Sequence, residues 1–386
     1  MSSWTALAVP DARRRQLENR SGPQGREIHF EGERLLNFCS NDYLGLANDP
    51  RLVAASHAAL ARYGVGSGAA ALLSGWTEAH AALCVETASF VGRDRALLFS
   101  SGYLANLGLL RTFADRHTEI FHDRLNHASL IDGVLLSGGR STRYRHADTD
   151  DLARKLEASR AARKIIVTDS VFSMDGDEAP VAVLATLARR HQALLICDDA
   201  HGFGVLGGGR GYLHAHGLTQ TDVPLVMVTF GKALGAAGAA VAGSADLIEA
   251  LLQHARTFIY DTALPAVVVA AASAGIDLLR NDPEPVAALV RNITLFKTLL
   301  ADEGLPVPTV NGPIQPIILG TDDAALAAAA ALRKRGLYVR AVRPPTVPEG
   351  TARLRICLSG AHAPADIEQL VAALSALQFD RTAQAT

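Results

Sequence analysis

Lys232 stands directly after Gly231 in VTFGKALG, at the end of the apolar run Leu225-Val226-Met227-Val228. A lysine is expensive to bury unless its charge is paired or its pKa falls. An amine held near neutral pKa can bond to an aldehyde as a Schiff base and later act as a base. An ion pair to Asp198 or Asp199 is the competing structural reading of this lysine. Another apolar run ends in Asp198-Asp199-Ala200-His201. Asp198 could cap a turn, with His201 a satisfied polar residue. The two could instead bind a cation, but no third ligand is apparent. In a cofactor site, Asp198 would hold a protonated ring nitrogen and His201 would bond a nearby oxygen. A third run ends in Ser100-Ser101-Gly102, before a helical stretch from about Tyr103. Free N–H groups at a helix start favour an anion such as phosphate. A fourth ends in Thr168-Asp169-Ser170, and Ser173 follows in VFSMDGD, where alone it reads as a turn residue.

These groups need a scaffold that brings strand ends together. The runs ALLFSSG, KIIVTDS, ALLICDDAHG and PLVMVTFGK read as buried strands. Amphipathic stretches lie between them. In DTDDLARKLEASR, Thr149 or Asp150 could cap a helix carrying Leu152 and Leu156 on one face, and Leu184 and Leu187 do the same in VAVLATLARRH. Such alternation predicts an α/β fold with a large, mostly parallel sheet covered on both faces. Open sheets of this kind bind ligands at the carboxyl ends of their strands. A phosphate site, an acid for a ring nitrogen, an imidazole and an amine are together the set that pyridoxal 5'-phosphate requires.

The C-terminal stretch reads differently. A helix from about Asp322 stops at Gly336, then LYVRAV and TARLRICL read as strands. A last helix carries Ile367, Leu370, Leu374 and Leu377. The expected division is an N-terminal arm over 1–50, a large cofactor-binding α/β domain over 51–280 and a smaller α+β domain over 281–386, with the second boundary in RNDPEP. A formal net charge of -2 gives no reason to expect a nucleic-acid or anionic-membrane partner. No apolar run is long enough to span a bilayer, and the N-terminus lacks a secretory pattern. Cys39, Cys84, Cys197 and Cys357 show no metal-ligand spacing, so reduced thiols in a cytoplasmic protein, with no metal, are expected.

Six ordered stretches carry a family resemblance: NFCSNDYLGL (37–46), DRLNHASLIDG (123–133), VFSMDGD (171–177), DDAHGFGVLG (198–207), TFGKALG (229–235) and RPPTVPEGTARLR (343–355). They resemble the α-oxoamine synthases, pyridoxal-phosphate enzymes of the aspartate-aminotransferase-like fold. The similarity runs from about residue 35 to the last helix. It implies that Lys232 holds the cofactor and removes a substrate α-proton. Asp198 would pair with the pyridinium nitrogen, His201 would contact the ring hydroxyl, and His127 would stack on the ring. By itself His127 reads as a helix-start residue more readily than as a cofactor contact. Gly102, Tyr103, Ser173 and Thr229 would complete the cofactor contacts. Arg355 would bind the amino-acid carboxylate, which suits a planar bidentate cation, although by pattern alone it could be an exposed strand residue. Asn41, Arg343 and Thr346 would shape the substrate pocket. Either Arg15 or Arg20 fits the N-terminal arginine near the acyl-thioester site.

The resemblance also implies a homodimer whose Ser74, Gly75 and Thr262 reach the neighbouring subunit's cofactor. Two departures stand out: alanines at 69–71 in GSGAAALLSG, and Asp261 beside Thr262. The expected reaction is decarboxylative condensation of an amino acid with an acyl thioester. RPPTVPEGTARLR leans towards L-alanine and a pimeloyl thioester carried by coenzyme A or acyl carrier protein. Other condensations of the family, such as glycine with acetyl-CoA, glycine with succinyl-CoA or serine with palmitoyl-CoA, are the alternatives within it. Outside it stand a non-catalytic scaffold and a cofactor-free aldolase, which would need Lys232 but no phosphate site.

Overall fold

A computed structural model of the chain describes residues 13–30 and 32–377. The described residues divide into two units, one drawn from 1–43, 174–176 and 287–386, the other from 44–173 and 177–286.

In the first unit, β1 (Arg20–Ser21), β2 (Glu27–Phe30) and β3 (Glu33–Asn37) form an antiparallel ladder. Alternation in β2 and β3 places Ile28, Phe30 and Leu35 on a buried face, against which Tyr338 packs.

The second unit is built on seven strands: β4 (Arg95–Phe99), β5 (Thr118–Asp123), β6 (Arg140–Tyr144), β7 (Arg163–Asp169), β8 (Ala193–Asp198), β9 (Leu225–Thr229) and β10 (Ala239–Gly243). Their order is β4-β10-β9-β8-β7-β5-β6. β10 runs opposite to the other six strands, so the sheet is mostly parallel as the apolar runs predict. Every residue of β5 and β10 is buried, as befits strands covered on both faces. Leu109, Leu110, Ile120, Leu130, Val167, Ile196 and Leu225 form the centre of its core, each fully excluded from water. Burying one such side chain contributes about 1.5–3 kcal/mol. The helix Thr149–Ala158 is capped by Asp148, whose carboxylate accepts from the Asp151 amide, not by Thr149 or Asp150. Thr149 is already helical, so the cap falls one residue earlier than the sequence suggests.

The register sets the site. Asp169 of β7 lies opposite Asp198 of β8, and Asp198 lies opposite Met227 of β9. Three neighbouring strands therefore deliver their C-terminal residues to one level.

The remaining strands belong to the first unit: β11 (Ile314–Gly320), β12 (Leu337–Tyr338), β13 (Arg340–Val342) and β14 (Ala352–Cys357). LYVRAV is not one strand. Its first part, β12, runs parallel to β3, while β13 pairs with β14. Hydrophobic pattern cannot show such a change of sheet. The last helix, Pro364–Ser375, buries Ile367, Leu370 and Leu374 but ends before Leu377.

Candidate active site

Lys232 sits in a turn tied by backbone bonds at the end of β9. Phe230 N donates to Gly238 O (2.9 Å), Ala236 N to Phe230 O (2.9 Å) and Gly235 N to Lys232 O (2.9 Å). Gly235 has φ +63, and a Cβ there would meet Ala47 N at 2.3 Å. Glycine is thus required on both conformational and steric grounds. The turn fixes the base of a flexible side chain, whose Nζ lies 2.8 Å from His201 Nε2. His201 is buried, three residues beyond the end of β8.

Asp198 is 4 % exposed. Its Oδ2 accepts from Asn106 Nδ2 at 2.7 Å and its Oδ1 from the Ala200 amide at 2.9 Å. Asp169, also buried, accepts from the His127 amide at 2.7 Å. Burial and the adjacent Asp198 together push the Asp169 pKa well above the carboxylate range. Desolvation lowers the pKa of His127, against the opposing effect of Asp198, even though that ring is exposed towards the cavity.

These side chains line one cavity of about 150 Å³, bounded by Gly102, Tyr103, Asn106, His127, Ser129, Asp169, Asp198, Ala200, His201, Met227, Thr229 and Lys232. A Cβ on Gly102 would press on Met227 Cε at 3.2 Å, so glycine keeps the helix start close to β9. Thr229 Oγ1 donates to Gly238 O at 3.1 Å. A larger cavity of about 670 Å³ elsewhere in this unit is mostly apolar. Its Asp94 bonds to Gln220 and its Arg95 pairs with Glu249, so it lacks a comparable set of converging groups.

The donor set fits pyridoxal 5'-phosphate. A buried carboxylate, Asp198, suits a ring nitrogen that carries a proton, and a second carboxyl beside it favours added positive charge. Lys232 supplies the amine, His127 an aromatic wall, and Gly102 a cleared helix start for a phosphate.

Of the residues singled out in the sequence, Lys232, Asp198, His201, His127, Gly102, Tyr103 and Thr229 share this cavity. Ser173 is half-buried in the loop after β7 and does not line it. Thr262 forms an isolated bridge with Ala70 instead. The alanines of GSGAAALLSG serve this pairing, since Ala263 N donates to Ala69 O at 3.1 Å. Close backbone approach falls on Gly75, where a Cβ would meet Ala69 O at 2.2 Å. Asp261 accepts from the Ser100 hydroxyl, which gives this departure a local partner.

The other expected residues lie in the first unit. Arg355 Nη1 donates to Asn41 Oδ1 at 3.2 Å. Arg353, on the same face of β14, is buried and pairs with Asp175. Thr346 N donates to Arg343 O at 3.1 Å, closing the Pro-Pro turn. Arg15 and Arg20 are both exposed, and Arg20 Nη1 donates to Gly22 O at 2.6 Å. Residue type and spacing assign no role to Asn106, Ser129 or Asp169. For Asn106 a signal is nonetheless present in the helical spacing, four residues beyond Gly102 and on its face.

His146 is held between two carboxylates, with Nδ1 3.0 Å from Asp123 and Nε2 2.8 Å from Asp177. Burial opposes its charge, but these hydrogen bonds outweigh burial and raise its pKa to about 10. A raised imidazole pKa stabilises the fold fully below the unfolded value, about 6.5. That contribution falls as pH rises through about 10. We expect the stability of His146→Asn to lie a few kcal/mol below the parent at pH 6 and to converge with it above about pH 10. Urea denaturation across that range checks the sign; a constant gap would refute the assignment.

Residues 33–374 match the family of class I and II aminotransferases. The chain is 51% identical to 8-amino-7-oxononanoate synthase of Methylococcus capsulatus over 354 residues, covering 92% of both chains. The structure is similar to serine palmitoyltransferase from S. paucimobilis, solved with bound pyridoxal phosphate and myriocin. That likeness has a TM-score of 0.89 at 30% identity and covers 94% of this chain and 91% of that one. It is also similar to 8-amino-7-oxononanoate synthase from Francisella tularensis, with a TM-score of 0.76 at 31% identity, covering 89% of this chain and 97% of that one.

Proposed function

Because this chain belongs to the class I and II aminotransferases and, among them, to the pyridoxal-phosphate-dependent α-oxoamine synthases, we propose that it condenses L-alanine with a pimeloyl thioester. The products are 8-amino-7-oxononanoate, carbon dioxide and free thiol, a step of biotin biosynthesis. The reading is carried by the convergence of Lys232, His201, Asp198 and His127 in one cavity of a chain half-identical to enzymes of that name.

Bound pyridoxal 5'-phosphate supplies an electron sink for the carbanion formed at the amino acid's α-carbon. Lys232 would hold its aldehyde covalently between turnovers, and Nζ would then accept the α-proton of L-alanine. His201, 2.8 Å from that amine, would orient it and reach the ring hydroxyl. Asp198 would keep the ring nitrogen protonated, with its own oxygens fixed by Asn106 and the Ala200 amide. Gly102, Tyr103 and Thr229, which line the cavity, would complete the cofactor contacts; Ser173 lies outside that lining and is given no cofactor contact, and Thr262 would serve the site of a homodimeric partner. In the overall reaction the α-carbon bonds to the thioester carbonyl carbon, the thiol leaves, and the carboxylate departs as carbon dioxide.

Arg355 is assigned the substrate carboxylate, with Asn41 steadying its guanidinium. Arg343 and Thr346 are assigned to the substrate pocket, and Arg15 or Arg20 to the thioester. Arg355→Ala is expected to raise KM for L-alanine about 10–100-fold, the worth of a charge-assisted pair. Steady-state kinetics check this; an unchanged KM would remove Arg355 from the site.

Among the described residues no helix is long and apolar enough to cross a membrane. The four cysteines are free thiols, which suits a cytoplasmic setting. The deciding experiment follows thiol release from pimeloyl-CoA and from pimeloyl-acyl carrier protein with L-alanine, beside glycine with acetyl-CoA. Release only in the glycine arm would overturn the substrate assignment.

A further inference from the structure

Behind the cavity wall, Asn106 and Ser129 are each completely excluded from solvent. Asn106 Nδ2 donates one hydrogen to Asp198 Oδ2 at 2.7 Å and the other to Ser129 Oγ at 2.8 Å. This settles the amide's orientation chemically. The opposite one would set its oxygen, which accepts only, against a carboxylate oxygen. Asn106 Oδ1 accordingly has no hydrogen-bond partner in the structure. Both amide hydrogens are therefore committed, one to the acid of the site and one to a serine.

Ser129 Oγ also lies 2.8 Å from His127 Nδ1. A hydroxyl has one hydrogen to give. Since Ser129 Oγ already accepts from Asn106, that hydrogen is free to point at His127. The Ser129 backbone amide donates to the same Nδ1 at 3.3 Å. Two donors aimed at one ring nitrogen leave no room for a proton on it. A proton on Nδ1 would face the amide hydrogen directly and force the hydroxyl hydrogen to turn away.

We infer that Asn106 and Ser129 are positioning residues that fix His127 as the neutral tautomer protonated at Nε2, linking its ring to Asp198 through one buried chain. His127 then brings to the cavity an N–H donor at Nε2, suited to an acceptor oxygen of the substrate. The chain Asp198–Asn106–Ser129–His127 couples the orientation of the ring that would stack on the cofactor to the carboxylate that would bind its nitrogen. The inference rests on reading this cavity as the reaction site. The tautomer itself can be tested without turnover.

The test is nitrogen NMR of the holoenzyme labelled with ¹⁵N-histidine, the His127 signals being identified by their loss in His127→Gln. The expected spectrum has an unprotonated, hydrogen-bonded Nδ1 and a protonated Nε2. A protonated Nδ1 in the parent enzyme would overturn the inference, whether or not the proposed condensation is observed. Ser129→Ala should shift the Nδ1 resonance and lower kcat about tenfold, with KM changed little, as loss of orientation predicts. Ser129→Thr, which keeps a hydroxyl, should restore both. Asn106→Ala leaves the atoms touching His127 in place, so a shifted Nδ1 signal there reports the chain itself. If both alanine variants lost only thermal stability and kept the parent's His127 signals, the residues would be structural and the inference would fail. Loss of condensation in the parent with the expected tautomer would instead refute the functional reading alone.

Discussion

Lys232→Ala is expected to lower kcat by about 10⁴-fold or more, the scale seen when a residue central to covalent and proton-transfer chemistry is removed. Nζ carries two duties in the proposed reaction, bonding the cofactor's aldehyde and accepting the α-proton, and no neighbouring group combines them. His201 is within 2.8 Å but is an imidazole and cannot replace the amine as a covalent anchor. The fold should survive. The side chain is half-buried, and the turn that carries it is held by backbone bonds among Phe230, Lys232, Gly235, Ala236 and Gly238, which alanine leaves in place. The measurement is single-turnover thiol release together with a thermal melt. Activity within tenfold of the parent would refute the mechanism. A collapsed melting temperature would show that Lys232 is structural.

The second large effect is expected for Asp198→Asn. The substitution preserves shape but removes the negative charge that the proposed mechanism sets against the cofactor's ring nitrogen. Because Asp198 is 4 % exposed, that charge acts in a low-dielectric setting where it is worth much more than in water. We expect kcat to fall about 10³-fold while KM for L-alanine moves only a few-fold, since the charge acts on the transition state more than on ground-state binding. Removal of the Asp198 charge should also let the neighbouring Asp169 pKa fall, although burial, the larger cause, still holds it up. Equal losses in kcat and affinity would point to a disrupted cavity instead.

The class of fold and the chemistry of its strand ends are legible in the chain because both depend on local pattern. Continuous apolar runs such as LLICD and LVMVT announce strands covered on both faces, and the polar residue closing each run stands out against them. Lys232, Asp198 and His201 could be found in this way, and the ordered family motifs added His127 and Arg355. Caps are less legible. The sequence offers Thr149 or Asp150, and only the folded backbone, with the Asp148 carboxylate accepting from the Asp151 amide, selects Asp148.

What the sequence by itself determined is the alternation of strands and helices, the set of functional groups at the strand ends and the family to which they belong. Each follows from residue type and short-range spacing. Only the tertiary structure decided the partners. Parallel register set Asp169 beside Asp198 across 29 positions of sequence. The packing of helix Gly102–Phe113 brought Asn106 to Ser129 and Asp198, and LYVRAV was split between two sheets. Such choices depend on contacts between residues far apart in the chain, which period and propensity do not encode. Lysine and aspartate were visible as an amine and an acid; the direction of each buried hydrogen, and with it the tautomer of His127, exists only in the folded arrangement.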